Sequence, residues 1–131
     1  MRMWGIPPER LCRQHLLGEH VEMHAFVGLI RRGSSLEGYT SSGLVDVRLI
    51  RERHELLVDE MLSRRYHHRS PLPDFDLAAY LEHPGYVDVD ANLEELERRC
   101  SRCAARFPLN FRDWFDDESL TDAERNEGGD L

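Results

Sequence analysis

Residues 11–24, LCRQHLLGEHVEMH, carry three histidines, two glutamates and a glutamine in fourteen positions. Wound into an α-helix, Cys12, His15, Glu19, Glu22 and Phe26 step by three or four positions and share one face. An apolar stripe of Leu16, Met23, Val27 and Ile30 lies beside it. Two carboxylates one turn apart, with a histidine one turn before the first, repel each other if they are ionised and buried together. That repulsion lifts the pKa of one carboxylate toward the range in which it can move a proton. On a solvated face the same side chains would do no such work, so the pattern alone leaves both readings open.

The chain also limits which amine could act as a nucleophile. It contains no lysine: all 17 basic residues are arginine, so the α-amine of Met1 is the sole primary amine. An α-amine titrates near about 7.7–8.0 in peptides, against about 10.4 for lysine, and a usable fraction is unprotonated at neutral pH.

Helices must position these groups. Pro7 and Pro8 suit a helix start, apolar spacing continues from about Pro8 to Arg32, and Gly33 is placed to cap the end. SSLEGYTSSG, residues 34–43, is loop by composition. A second helix is expected from about Asp46, its N-cap, to Tyr66, with Leu49, Leu56, Leu57 and Met61 as its buried stripe. HHRSPLPDF is a turn, and a short helix around Leu77–Glu82 ends at His83-Pro84-Gly85. Asp90 is placed to cap a third long helix that closes near Pro108. YVDVD, residues 86–90, alternates but is short, and no strand is assigned to it. The expected fold is all-α, a single domain of three principal helices around one core over residues 1–115. Residues 116–131 read as an acidic, disordered tail.

Length and composition agree with one globular domain. No apolar run approaches the roughly 18 residues of a membrane helix, and MRMWGIPPER lacks the apolar core of a signal peptide, so the cytoplasm is the expected location. Cys12, Cys100 and Cys103 are expected to be reduced. The net charge of −8 is unevenly spread. Residues 1–72 hold 11 Arg and 9 Asp/Glu, a net of +2, whereas residues 73–131 hold 6 Arg and 16 Asp/Glu, a net of −10. An overall acidic balance predicts weak non-specific DNA binding at ordinary salt.

MRMW…LCRQHLLGEHVE resembles the start of the phage pyrimidine-dimer DNA glycosylases, the endonuclease V family that cuts at UV-induced dimers. Arg2 matches that family's leading arginine, Gln14-His15 its Gln-His pair, and Glu19 and Glu22 its Glu-x-x-Glu. LIRERHELLVDEMLSRRY, residues 49–66, is similar to its long second helix. The resemblance covers about half the chain in two blocks. It implies an all-α enzyme, without cofactor, membrane or obligatory protein partner, that acts on damaged double-stranded DNA. The N-terminal amine would attack C1′ of a flipped-out nucleotide, form a Schiff base and break the strand by β-elimination. By position, Met1 takes the nucleophile's place and Glu22 that of the glutamate that stabilises the sugar cation and helps proton transfer. Arg2 and His15 join them as catalytic candidates, and Gln14 and Glu19 as substrate-binding ones.

The chain departs from the family at Val21 and Ala25, where family members carry phosphate-gripping arginines. Nearby replacements are His24, Arg31 and Arg32, and the basic turn His67, His68 and Arg69. Arg98 and Arg102 resemble a basic pair the family uses on its third helix. RFPLNFRDWF, residues 106–115, stands where the family has an aromatic, basic segment, but no stacking role is carried over.

Two other readings stay open. Cys12-x-x-His15 and Cys100-x-x-Cys103 offer four ligands at zinc-like spacing, although both pairs are expected inside helices, and no metal is assigned. HVEMH, residues 20–24, is not H-E-x-x-H, because its glutamate is misplaced. The alternative function is a non-enzymatic helical binding module whose acidic tail engages a basic partner, with or without a structural zinc.

Overall fold

A computed structural model describes residues 1–107. Pro8–Arg10 form one 3-10 turn, the chain extends through Leu11 and Cys12, and helix α1 runs Arg13–Arg31. Its inward face holds the expected Leu16, Met23, Val27 and Ile30 together with Phe26, and also buries Glu19 and His20. Gly33 ends the helix as expected, at φ +71, with its amide donating to the Ile30 carbonyl.

The segment after α1 is more ordered than its composition suggests. Glu37–Thr40 make a one-turn helix, α2, and Leu44–Asp46 form strand β1. β1 pairs antiparallel with β2, Gly85–Val87, in the register Leu44↔Val87, Val45↔Tyr86 and Asp46↔Gly85. This two-stranded sheet corrects the purely helical expectation. Each strand has three residues, too few for alternation to be legible. Gly85, at φ +88, lets the strands meet, since a Cβ there would collide with the Val45 carbonyl. Ala78–Tyr80, inside the predicted short helix, form a 3-10 turn.

Asp46 accepts the Arg48 amide at 3.0 Å and caps a 3-10 turn that leads into α3, Ile50–Ser63. The expected stripe on this helix is only half right. Leu57 and Met61 are buried, whereas Leu49 and Leu56 are exposed at 42% and 44%. Ile50, Arg53, His54 and Val58 take the inner positions instead. The third helix is also corrected: α4, Val89–Arg99, is capped by Asp88, whose carboxylate accepts the Ala91 amide at 3.0 Å. The chain breaks helical form at Cys100 and resumes as α5, Ser101–Ala104. The predicted domain end at 115, the acidic tail and most of the aromatic segment lie outside the described residues. Among the described residues, no helix is long and apolar enough to cross a membrane.

The N-terminal lead is part of the core. Met3, Trp4 and Ile6 are all buried. The Met3 amide donates to the Leu44 carbonyl at 2.7 Å, and the Asn92 side-chain amide donates to the Trp4 carbonyl at 2.9 Å. The lead therefore lies between β1 and α4, and its position is fixed from both sides. Further along, the Arg64 guanidinium at the end of α3 donates to the Pro8 and Leu11 carbonyls, which holds the approach to α1.

α1 and α3 are joined by a buried ion pair. Arg53 Nε and an Nη donate to the two Glu19 carboxylate oxygens at 2.6 and 2.9 Å, with side-chain exposures of 6% and 0%. Such a bidentate pair offsets its own desolvation only while both partners remain. Arg53→Met alone should lower the unfolding free energy by about 3–5 kcal/mol. Arg53→Met with Glu19→Leu should recover most of that loss; denaturant unfolding of the two variants checks this, and equal losses would contradict it.

Beside this pair, four imidazoles meet. His20 and His24 of α1 approach His54 of α3 and His68 of the following loop, with ring centroids 4.9–5.4 Å apart. Burial, and then the neighbouring imidazoles, push the His20 pKa down to about 4. The buried His20 Nε2 has no hydrogen-bond partner among the described residues. Among the described residues, the carboxylate hydrogen-bonded to the group is Glu55, on His54 Nδ1 at 2.9 Å. Because His20 resists protonation in the folded state, the unfolded chain takes up the proton first as the pH falls. Stability is thus full above about pH 6.5 and declines toward pH 4, by on the order of 3 kcal/mol from His20. Chemical denaturation across that window should show the decline, and His20→Phe should flatten it.

Candidate active site

Glu22 lies one turn beyond Glu19 on α1, where the helix face turns from the α3 contact toward the N-terminal lead. Its Oε2 accepts the Arg2 backbone amide at 3.2 Å, which sets the half-buried carboxylate beside the first residue of the chain. Burial raises the Glu22 pKa, and the Glu19 carboxylate adds to the rise. The Arg2 amide, the terminal ammonium and the Arg2 charge pull the other way. Met1, Gln14, His15, Glu22 and Arg99 line a cleft of about 400 Å³. A larger cleft of about 730 Å³, between α2 and β2 near Leu36, Tyr80 and Tyr86, contains none of these groups.

The sequence-predicted residues separate into those gathered at the cleft and those held elsewhere. Met1 is exposed, Gln14 is exposed at the rim, and Glu22 is half-buried. Arg2 contributes its backbone amide; its guanidinium turns away to Glu95 at 2.6 Å and Asn92 at 3.3 Å, over the Trp4 ring. Glu19 lines the cleft wall but is fully engaged by Arg53. His24 belongs to the imidazole group, with its Nε2 3.2 Å from that of His54. Arg69, Arg98 and Arg102 are exposed and do not line the cleft.

His15 faces two ways. It lines the cleft and meets Trp4 edge-on at 5.9 Å, while its Nδ1 lies 3.3 Å from Cys12 Sγ and 3.5 Å from Cys103 Sγ. Burial, reinforced by the Arg99 charge, lowers its pKa and favours a neutral ring. Cys12, His15, Cys100 and Cys103 bring their ligand atoms within 4.8 Å of one another. Contrary to expectation, neither cysteine pair lies wholly inside a helix: Cys12 is the N-cap of α1 and Cys100 the N-cap of α5.

Sequence reasoning missed Arg99, which reaches the cleft and stacks over Trp4 at 5.4 Å, in favour of its neighbour Arg98. Had the α4 cap been placed at Asp88, the buried Leu96 would have set the helix phase and put Arg99 one turn beyond it. Trp4, Asn92 and Arg53 were also missed. The indole and two carbonyl-binding or carboxylate-binding side chains gain their roles from distant partners.

A carboxyl group with a raised pKa destabilises the folded state at pH values where it must ionise. Stability from this group is highest when it is protonated and falls as the pH rises through the ordinary carboxylate range toward the folded pKa. Glu22→Gln removes that ionisation and should raise the Tm at pH 7 relative to the parent. At a pH below the ordinary glutamate range the two proteins should converge. Differential scanning calorimetry at both pH values checks this, and a lower Tm for the variant at pH 7 would show the carboxylate to be stabilising.

Comparison with known proteins finds no significant match among curated sequences and none among solved structures. A family model does match, that of pyrimidine dimer DNA glycosylase. It spans residues 1–74, more than half of the chain, and includes Met1, Arg2, Gln14, His15, Glu19 and Glu22. With the N-terminal residue, a half-buried carboxylate and the matched stretch converging on one cleft, the chain belongs to the pyrimidine dimer DNA glycosylase family.

Proposed function

We propose that the protein excises UV-induced pyrimidine dimers and then cuts the strand, acting as a glycosylase and AP lyase through the Met1 α-amine. The observation that carries the reading is the hydrogen bond from the Arg2 amide to Glu22, which brings the carboxylate with the raised pKa to the residue bearing the amine. Family membership supports damaged DNA as substrate and glycosylase activity as the reaction class.

In this reading the unprotonated amine attacks C1′ of the flipped nucleotide, and the C1′–N bond to the base breaks. Glu22 offsets positive charge on the sugar as that bond lengthens and accepts the proton the attacking amine gives up. Transfer of that proton from Glu22 to O4′ opens the sugar ring as the C1′–O4′ bond breaks, and yields the Schiff base. Loss of a C2′ proton then expels the 3′ phosphate by β-elimination. The buried anchors Met3, Trp4 and Ile6 support this geometry by fixing the lead that carries the amine. In this reading Gln14, exposed at the rim, contacts the displaced base or its partner. Val21, exposed at 63% where the family has an arginine, offers no charge to phosphate. We assign that role to Arg99 at the cleft wall, and to the exposed Arg69, Arg98 and Arg102, which do not line the cleft.

Borohydride trapping tests the proposal. Untagged protein incubated with duplex containing a thymine dimer should give a covalent adduct located at Met1. Glu22→Gln should reduce adduct formation at least about 100-fold, within the usual range for loss of an acid–base group. A two-residue N-terminal extension should abolish it, whereas a mere binding module would tolerate the extension. An adduct on abasic duplex alone would retain the lyase and reassign the lesion. No adduct on either duplex, from folded protein, would overturn the amine mechanism.

A further inference from the structure

We infer that Cys12, His15, Cys100 and Cys103 bind one zinc ion, which clamps the C-terminal helices to the start of α1. The four ligands come from two C-x-x-(H/C) pairs, each opening at a helix N-cap. This is the local geometry of a metal-binding knuckle: an extended first cysteine, followed one turn later by a second ligand on the same side. Cys12 has φ −67 and ψ 168, and Cys100 has φ −132 and ψ 105, both extended.

The distances fit a tetrahedral ion. With Zn–S of about 2.3 Å and Zn–N of about 2.0–2.1 Å, a tetrahedron has S···S edges of about 3.8 Å and S···N edges of about 3.6 Å. The observed separations are 3.9 Å from Cys12 Sγ to Cys100 Sγ, 3.3 Å from Cys12 Sγ to His15 Nδ1, and 3.5 Å from Cys103 Sγ to His15 Nδ1. All four donor atoms fall within 4.8 Å. A disulfide would require one S–S distance near about 2.05 Å and would leave the third cysteine and the histidine unexplained.

The surroundings suit thiolates. The Cys12 amide points at Cys103 Sγ at 3.3 Å, and the Cys103 amide at Cys100 Sγ at 3.4 Å. Backbone donors aimed at sulfur spread the negative charge of a three-thiolate set. Cys12 and Cys103 are buried, at 1% and 0% exposure, which favours a closed structural site over an open catalytic one.

Position gives the ion a purpose. Cys100 and Cys103 lie beyond residue 74, where the family match ends, so the ion would tie a segment outside the matched part to its first helix. His15, bound through Nδ1, would carry its proton on Nε2. It would then act as a fixed wall of the cleft and a hydrogen-bond donor rather than as a base.

The test needs no knowledge of the substrate and is independent of the glycosylase proposal. Full-length protein purified without chelator should contain one zinc per chain that is released by a thiol-modifying mercurial. Replacement by Co²⁺ should give a thiolate-to-cobalt charge-transfer band and intense tetrahedral d–d bands. Cys100→Ser and Cys103→Ser should lose the zinc and lower the Tm by on the order of 10 °C. The cobalt signature on the parent chain keeps the proposal testable if those variants fail to fold. His20, His24, His54 and His68 also bring nitrogens within 4.8 Å, but they contain no sulfur. His24→Gln with His54→Gln should therefore leave the charge-transfer band intact. A metal-free native protein with three freely titrating thiols would overturn the inference. So would a Cys12–Cys100 disulfide, or cobalt bands that lack thiolate character or vanish with the histidine pair.

Discussion

The arrangement of this protein depends on the buried contact between Glu19 and Arg53. Two charges without solvent tolerate little misalignment, so the bidentate pair fixes both the rotation of α1 about its axis and its register against α3. With Glu19 directed at α3, Glu22, three positions on, is carried round toward the N-terminal lead. The same rotation places His20 among the imidazoles and Leu16, Met23 and Val27 in the core. A hydrophobic contact at this place could slide or turn by a fraction of a side chain. The ion pair cannot, and the place of Glu22 at the cleft follows from that rigidity.

The second constraint is the anchoring of the N-terminal lead. Termini are ordinarily the least ordered part of a domain. Here the lead is held by three buried side chains, a backbone bond to β1 and the Asn92 amide on α4. Arg2 adds to this through its guanidinium, which binds Glu95 and covers Trp4, while its amide meets Glu22. One residue thus joins α4 to the cleft. The small sheet has the same purpose, since β1 supplies the carbonyl that receives Met3.

Charge is arranged to match. Arg69, Arg98 and Arg102 are among the exposed arginines, while Arg53 is committed to Glu19 in the interior and the half-buried Arg2 to Glu95. The sulfur cluster lies directly behind the cleft, through His15, so the geometry of the C-terminal helices and that of the proposed site are not independent. This explains how a segment beyond the matched family region can matter to the cleft.

What could be read from the sequence was what depends on neighbours along the chain. Helical periodicity gave the inner face of α1, and Gly33 its end, because both follow from local backbone geometry. The shared face of His15, Glu19 and Glu22 was legible for the same reason, and the absence of lysine could be read directly. Other features were settled only when distant segments met. α3 turns Arg53 and His54 inward and leaves Leu49 and Leu56 outside because Glu19, 34 positions earlier, demands a cation. Three-residue strands exist because each finds the other across some forty residues. Cys100 interrupts a sequence that reads as continuous helix, at the point where it meets Cys12. Local pattern states what a residue can do, and the partner that decides whether it does so is supplied by the fold.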